Sequence, residues 1–188
     1  MLYASRHEQD AHASRGSINY NELGQAIEKN LHSEDQGLHY LQSLDYRYNI
    51  RGWMTTINNS SLTNDYTPGG AYTNNDNNDL FGMQLLYDQL ELTIPGGNNA
   101  LNTPMFDGQL SAVKWKTNNP SGTNANERIY TYSYDKAYRL TNALYAEKGS
   151  AGSWGSIVNN YTEQGISYDD GGNITALNRY DHSGTAID

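Results

Sequence analysis

The sequence predicts an all-β protein built from successive antiparallel hairpins, and three observations carry that expectation. Tyrosines stand at every second position in "YTYSYD" (130–135), the spacing that puts side chains on one face of an extended strand. Short clusters of Asp, Asn and Gly close such runs and mark tight turns. The same strand–turn–strand grammar returns about every 30 residues, which is the signature of a repeat architecture.

Taken in chain order, residues 1–17 ("MLYASRHEQDAHASRGS") read as a polar, poorly ordered tail without the apolar core of a signal peptide. Residues 18–181 read as the hairpin sheet. Within it, "NYNELGQAIEKNLHSE" could carry a short helical turn, but Gly24 weakens that reading and strand is preferred. In "DYRYNIRGWMTTIN", Tyr46 and Tyr48 lead into Asn49, Gly52 closes the turn and Met54 begins the return strand. Tyr130, Tyr132 and Tyr134 lead into Asp135 in the same way, with Leu140 and Leu144 on the return. Tyr168, Asp169, Gly172 and Ile174 repeat the pattern. Aligned on the turn exit, "GWMTTI" (52–57), "GQLSAV" (108–113) and "GNITAL" (172–177) share Gly, any residue, apolar, Ser or Thr, any residue, apolar. "YRLTNA" (138–143) fits with Tyr in the Gly place, "GQAIEK" (24–29) fits in its first half, and "GMQLLY" (82–87) keeps the glycine out of phase. These anchors imply long surface loops near 58–79, 95–104, 117–126 and 149–156, and residues 182–188 read as the end of an incomplete repeat opened by Tyr180-Asp181.

Composition supports a half-wet sheet. Leu, Ile, Val and Phe make up only about 16% of the chain, a fraction that accompanies disorder when net charge is high. Here only 18% of residues are charged, and 16 Tyr and 3 Trp supply apolar area that tolerates a wet edge. A net charge of -9 with 12 Lys+Arg leaves no basic patch for a phosphate backbone, so nucleic acid is not an expected partner. No cysteine excludes a disulfide framework and thiolate chemistry. No apolar run approaches the roughly 20 residues that span a bilayer.

"YSYDKAYRLTNA" (132–143) and "ISYDDGGNITAL" (166–177) resemble the YD repeat of the bacterial RHS (rearrangement hotspot) proteins and their animal relatives, the teneurins. "YRYNIRGWMTTIN", "DLFGMQLLYD" and "GQLSAVKWKTN" look like long-loop versions of that unit, so the resemblance runs from about residue 19 to 181. It assigns repeat positions to Tyr46, Tyr48, Asn49, Gly52, Gly108, Tyr132, Tyr134, Asp135, Arg139, Leu140, Tyr168, Asp169, Gly172 and Ile174. In that family the repeats wind into a spiralling sheet that closes as a hollow shell around a toxin or effector domain, sealed by a self-cleaving aspartyl-protease-like core. The resemblance implies a structural, non-catalytic wall segment without cofactors. Its expected partners are the remaining repeats of a parent chain and an enclosed effector, in a secreted or cell-surface setting. A shell needs far more strand than 188 residues supply, and neither cleavage core nor toxin domain is present, so the chain is expected to be a fragment or relict of a larger protein.

Other candidate chemistry has simpler explanations. "HEQDAH" (7–12) puts His7 and His12 five apart, about 140° around a helix, where a zinc protease needs them four apart. "NNDNND" (74–79) offers oxygen ligands, but a calcium loop needs Gly at position 79 and Glu at 85, where this chain has Asp79 and Leu85; a solvated loop is expected. Asp135, Asp169 and Asp170 could be read as a glycosidase pair, yet their recurrence at one repeat position marks them as turn formers. His32, His39 and His182 sit in no nucleophile motif. No metal site and no enzyme activity is expected. The alternative function is a carbohydrate- or surface-binding module that stacks sugar rings on Trp53, Trp115 and Trp154; the simpler reading of these residues is a cross-strand ladder.

Overall fold

A computed structural model describes residues 15–33, 35, 37–68, 70, 74–75, 78–92, 100–118, 126–149, 152–155 and 160–187. Among these residues there are ten strands and no helix. They fall into two compact units, 1–44 and 45–188.

In the first unit, β1 (Arg15–Tyr20) and β2 (Ala26–Ser33) form an antiparallel hairpin, with Ile18 opposite Lys29 and Asn19 opposite Glu28. Strand β1 starts at Arg15, so the sheet begins earlier than the expected tail boundary at 17. Segment 19–33 is strand, turn and strand rather than helix. Its turn exit, Gly24, holds φ +76°, in the left-handed region where a helix cannot continue.

Strand β3 (Gln42–Tyr48) leads into the second unit, followed by β4 (Met54–Ile57), β5 (Phe81–Leu86), β6 (Ala112–Thr117), β7 (Arg128–Tyr134), β8 (Leu140–Glu147), β9 (Glu163–Tyr168) and β10 (Ile174–Arg179). From β3 to β10 each strand pairs antiparallel with the next in chain order. Connections are of two lengths. Tight five-residue turns join β3 to β4, β7 to β8 and β9 to β10, while long excursions separate β4 from β5, β5 from β6, β6 from β7 and β8 from β9.

Period-two alternation gives this sheet two different faces. On one, Leu86 lies opposite Ala112 and Ile129 opposite Ala146. The two alanines leave room above the sheet for Leu101 and Trp154, and Leu86, Ala112, Ile129, Ala146 and Trp154 form the core with Leu101 against it. Each large apolar side chain removed from water there is worth about 1.5–3 kcal/mol. On the other face Tyr130 lies opposite Tyr145 and Val113, and Tyr132 opposite Ala143.

The repeat phase inferred at Gly82 is corrected by the fold. Gly82 is not a turn exit but lies inside β5, where an added Cβ would stand 1.8 Å from the Asn59 carbonyl oxygen. Glycine is required there because the Asn59 backbone and the Leu62 side chain lie directly over the strand. Segment 74–79 also departs from a solvated loop. Among its described residues Asn74 and Asp79 are buried, and the Asn75 amide donates to the buried Asp45 carboxylate.

Candidate functional site

A single local device recurs at the tight turns. Asp135 Oδ1 accepts the amides of Ala137 and Arg139, its own amide donates to the Arg139 carbonyl, and the Tyr138 amide donates back to the Asp135 carbonyl. Asn21, Asn49 and Asp181 build the same turn with their i+2 and i+4 amides. Asp169 does so with the Asn173 amide at 2.8 Å. The residue three places on takes positive φ: Gly24, Gly52, Tyr138, Gly172 and Gly184 at +76°, +79°, +60°, +84° and +78°. The Asx side chain thus mimics a backbone turn while the left-handed residue reverses the chain. Arg139 Nε adds a 2.7 Å bond to Asp135 Oδ2.

These contacts hold the turn acids below the usual carboxylate range. For Asp135 the Arg139 amide is the largest cause, for Asp169 the Asn173 side chain, and for Asp181 the Ser183 hydroxyl. None faces another as a general acid–base pair; each carboxylate is occupied by the backbone of its own turn.

At three places the tyrosine before the turn residue has a different task, whereas the Tyr180 hydroxyl before the Asp181 turn accepts from the Gln164 side chain. The Tyr134 hydroxyl donates to the Leu110 carbonyl at 2.8 Å, the Tyr168 hydroxyl to the Leu140 carbonyl at 2.7 Å, and the Tyr87 hydroxyl to the Met54 carbonyl at 3.0 Å. Leu110, Leu140 and Met54 are the apolar residue of the turn exit in the preceding hairpin, as in "GQL", "YRL" and "GWM". Each hydroxyl therefore clasps its own hairpin to the one before it. Tyr87-Asp88 was detectable as such a unit, but about twenty inserted residues separate it from its exit glycine, Gly108, which hides the pairing in the sequence.

Four other tyrosines form an aromatic cluster with Trp115 on the second face. Trp115 stacks on Tyr130 with ring centres 5.6 Å apart and planes 18° from parallel, and Tyr130 meets Tyr145 at 5.4 Å. Tyr132 and Tyr161 extend the cluster to either side. Burial pushes the Tyr132 phenol up to about 12, and burial together with the Glu147 carboxylate raises Tyr145 further. The side chains are packed as a ladder, each filling a neighbour's face.

The three tryptophans separate in role. Trp154 is corrected as a stacking platform: it is 6% exposed in the core, its Nε1 donates to Glu91, and the Lys148 ammonium sits over its ring. Trp53 is half-buried beneath the Arg51 guanidinium and packs against Tyr87 and Gly108. Trp115 is half-buried with one face on Tyr130. Sequence reasoning missed the node around Trp154, where Glu91 also receives Lys114 at 2.8 Å. No local pattern joins residues 63 apart in the chain.

Nor do the histidines form a nucleophile site among the described residues. His39 Nδ1 lies 2.5 Å from Asp35, but the Ser33 hydroxyl donates to the same carboxylate instead of to the imidazole. The Asp35 carboxyl is held low, chiefly by the His39 amide. His7, Glu8 and His12 lie outside the described residues. Among the described residues no three His, Asp or Glu side chains converge as a metal site, and no helix is long and apolar enough to cross a membrane.

A pocket opens at the turn end of β7, a cavity of about 190 Å³ between Thr103 and Met105 on one side and the Asp135 turn on the other. The chain matches no protein-family model, and no curated protein resembles it at a significant level.

Proposed function

We propose that the chain is a non-catalytic wall segment of an RHS-type β-repeat shell, a surface whose task is to enclose or display another domain. The observation that supports this most directly is the recurring clasp, in which Tyr87, Tyr134 and Tyr168 donate to the turn exit of the preceding hairpin. Such a link is defined only between units, and it lets a sheet grow one hairpin at a time with the same join each time. Strand β10 suits continuation: it pairs with β9 alone among the named strands, and its side chains are almost all exposed. Its outer edge receives the Ile187 amide at the Arg179 carbonyl, and a sheet edge covered only at its end is ordinarily covered further or extended. The partners implied are further repeats on the same chain and an enclosed effector domain, in a secreted or surface-displayed protein.

The test is the reading frame itself. Sequencing its flanks and imaging the product by electron microscopy should give further tyrosine–aspartate units and a hollow particle with internal density. A frame without further repeats, whose product is a compact monomer, would defeat the reading.

A carbohydrate-binding module is the second reading, favoured by the partly exposed Trp115–Tyr130–Tyr145 cluster. Glycan-array binding that is lost in Trp115→Ala and Trp53→Ala would support it, and wall material should bind nothing there.

A further inference from the structure

Two Asx turns carry a side chain at the left-handed position, Leu62 after Asn59 and Tyr138 after Asp135. The left-handed position is glycine at Gly24, Gly52, Gly172 and Gly184 but tyrosine at Tyr138, whose φ is +60°. Leu62, which holds φ +59° in the related Asn59 turn, gains packing in exchange, since its side chain fills the space above Gly82. Tyr138 gains little packing: its side chain is 57% exposed, and its phenol hydrogen-bonds to Asp107. A side chain kept at a strained position without a packing return points to a use outside the fold.

The Tyr138 ring lines the cavity of about 190 Å³, together with Thr103, Met105, Tyr132, Ser133 and Tyr134. Two walls are rigid. Tyr134 is fixed by its bond to the Leu110 carbonyl, and the Asp135 turn beside it is fixed by the Ala137 and Arg139 amides. Aromatic rings and a thioether alternate with the exposed hydroxyls of Thr103 and Ser133. The charge of Asp135 is met by Arg139, and the Asp107 carboxylate is engaged by the Tyr138 phenol. Drug-sized ligands occupy pockets of about 300–1,000 Å³, so this one takes something smaller.

We propose that this pocket is a monosaccharide site, in which a neutral pyranose ring lies against Tyr138 and its hydroxyls meet Ser133 and Thr103. A pyranose has the matching duality, an apolar C–H face and a polar rim. The site shares Tyr132 with the aromatic cluster but does not include Trp115, and it holds whether the chain is a shell wall or a free module.

Saturation-transfer NMR on the whole chain tests it, with the methyl glycosides of glucose, galactose, mannose and N-acetylglucosamine as probes. At least one should bind, with Kd on the order of millimolar. Tyr138→Gly should weaken that binding about tenfold or more while raising the melting temperature, because glycine relieves the left-handed strain. Ser133→Ala, at an exposed position, should weaken binding several-fold with an unchanged melt. Absence of transfer from all four glycosides would overturn the proposal. So would binding unaffected by both variants, or binding abolished by Trp115→Ala alone.

Discussion

Replacing the clasp tyrosines by phenylalanine removes one hydroxyl each and leaves the ring in place. Tyr134→Phe deletes a 2.8 Å bond to the Leu110 carbonyl, Tyr168→Phe a 2.7 Å bond to Leu140 and Tyr87→Phe a 3.0 Å bond to Met54. The net value of such a bond is about 0.5–1.5 kcal/mol. The three bonds lie on different hairpins and share no partner, so their losses should add, to about 1.5–4.5 kcal/mol in the triple variant. In a domain of this size about 1 kcal/mol lowers the melting temperature by about 2–4 °C. Urea unfolding followed by circular dichroism measures the loss, and Tyr→Ala at the same sites separates ring packing from the hydroxyl. If every phenylalanine variant unfolds with the parent, the hydroxyls do not join the hairpins.

Four further outcomes follow from particular contacts. Gly82→Ala forces a Cβ to 1.8 Å from the Asn59 carbonyl and should cost at least about 2–3 kcal/mol or prevent folding, read by the same urea titration. Glu91→Ala strands the buried Lys114 ammonium and the Trp154 indole and should cost about 3–5 kcal/mol, with tryptophan fluorescence shifting to the red. Folding depresses the carboxyls of Asp135, Asp169 and Asp181, so the unfolded chain binds more protons at low pH. Their stabilisation is therefore complete above about pH 4 and is lost as pH falls through the depressed values; Asp169→Asn, which keeps the amide-accepting oxygen, should blunt acid unfolding while leaving neutral stability nearly unchanged. Burial raises the Tyr132 phenol to about 12, so that contribution is complete below about pH 10 and disappears as pH rises through 12, with tyrosinate absorbance and loss of structure appearing together.

Much of this was legible where chemistry and spacing are local. Turns built on Asn21, Asn49, Asp135, Asp169 and Asp181 depend on one side-chain oxygen and two amides within four residues, so a five-residue window contains the whole device. The rhythm of Tyr130, Tyr132 and Tyr134 showed a strand for the same reason. Contacts set by the long excursions were not legible. Gly82 resembles an exit glycine until the Asn59 backbone is placed over it. Trp154 resembles a surface ring until Glu91, 63 residues away, receives its indole and Lys148 covers its face. The role of the tyrosine hydroxyls lay between these cases: the residues were visible as a pattern, but their acceptors are backbone carbonyls, which carry no sequence signature. At the pocket, the substitution of Tyr138 for glycine was visible, and the neighbouring wall of Thr103 and Met105 was not.

The central claim is that these hairpins are successive units of one growing sheet, and the edge of β10 tests it most directly. Electron cryomicroscopy of the product of the complete reading frame should show β10 hydrogen-bonded on both sides, with Tyr180 entering a further hairpin and a hydroxyl clasp repeated beyond it. A β10 edge left open to solvent, with no additional hairpin joined to it, would contradict the account.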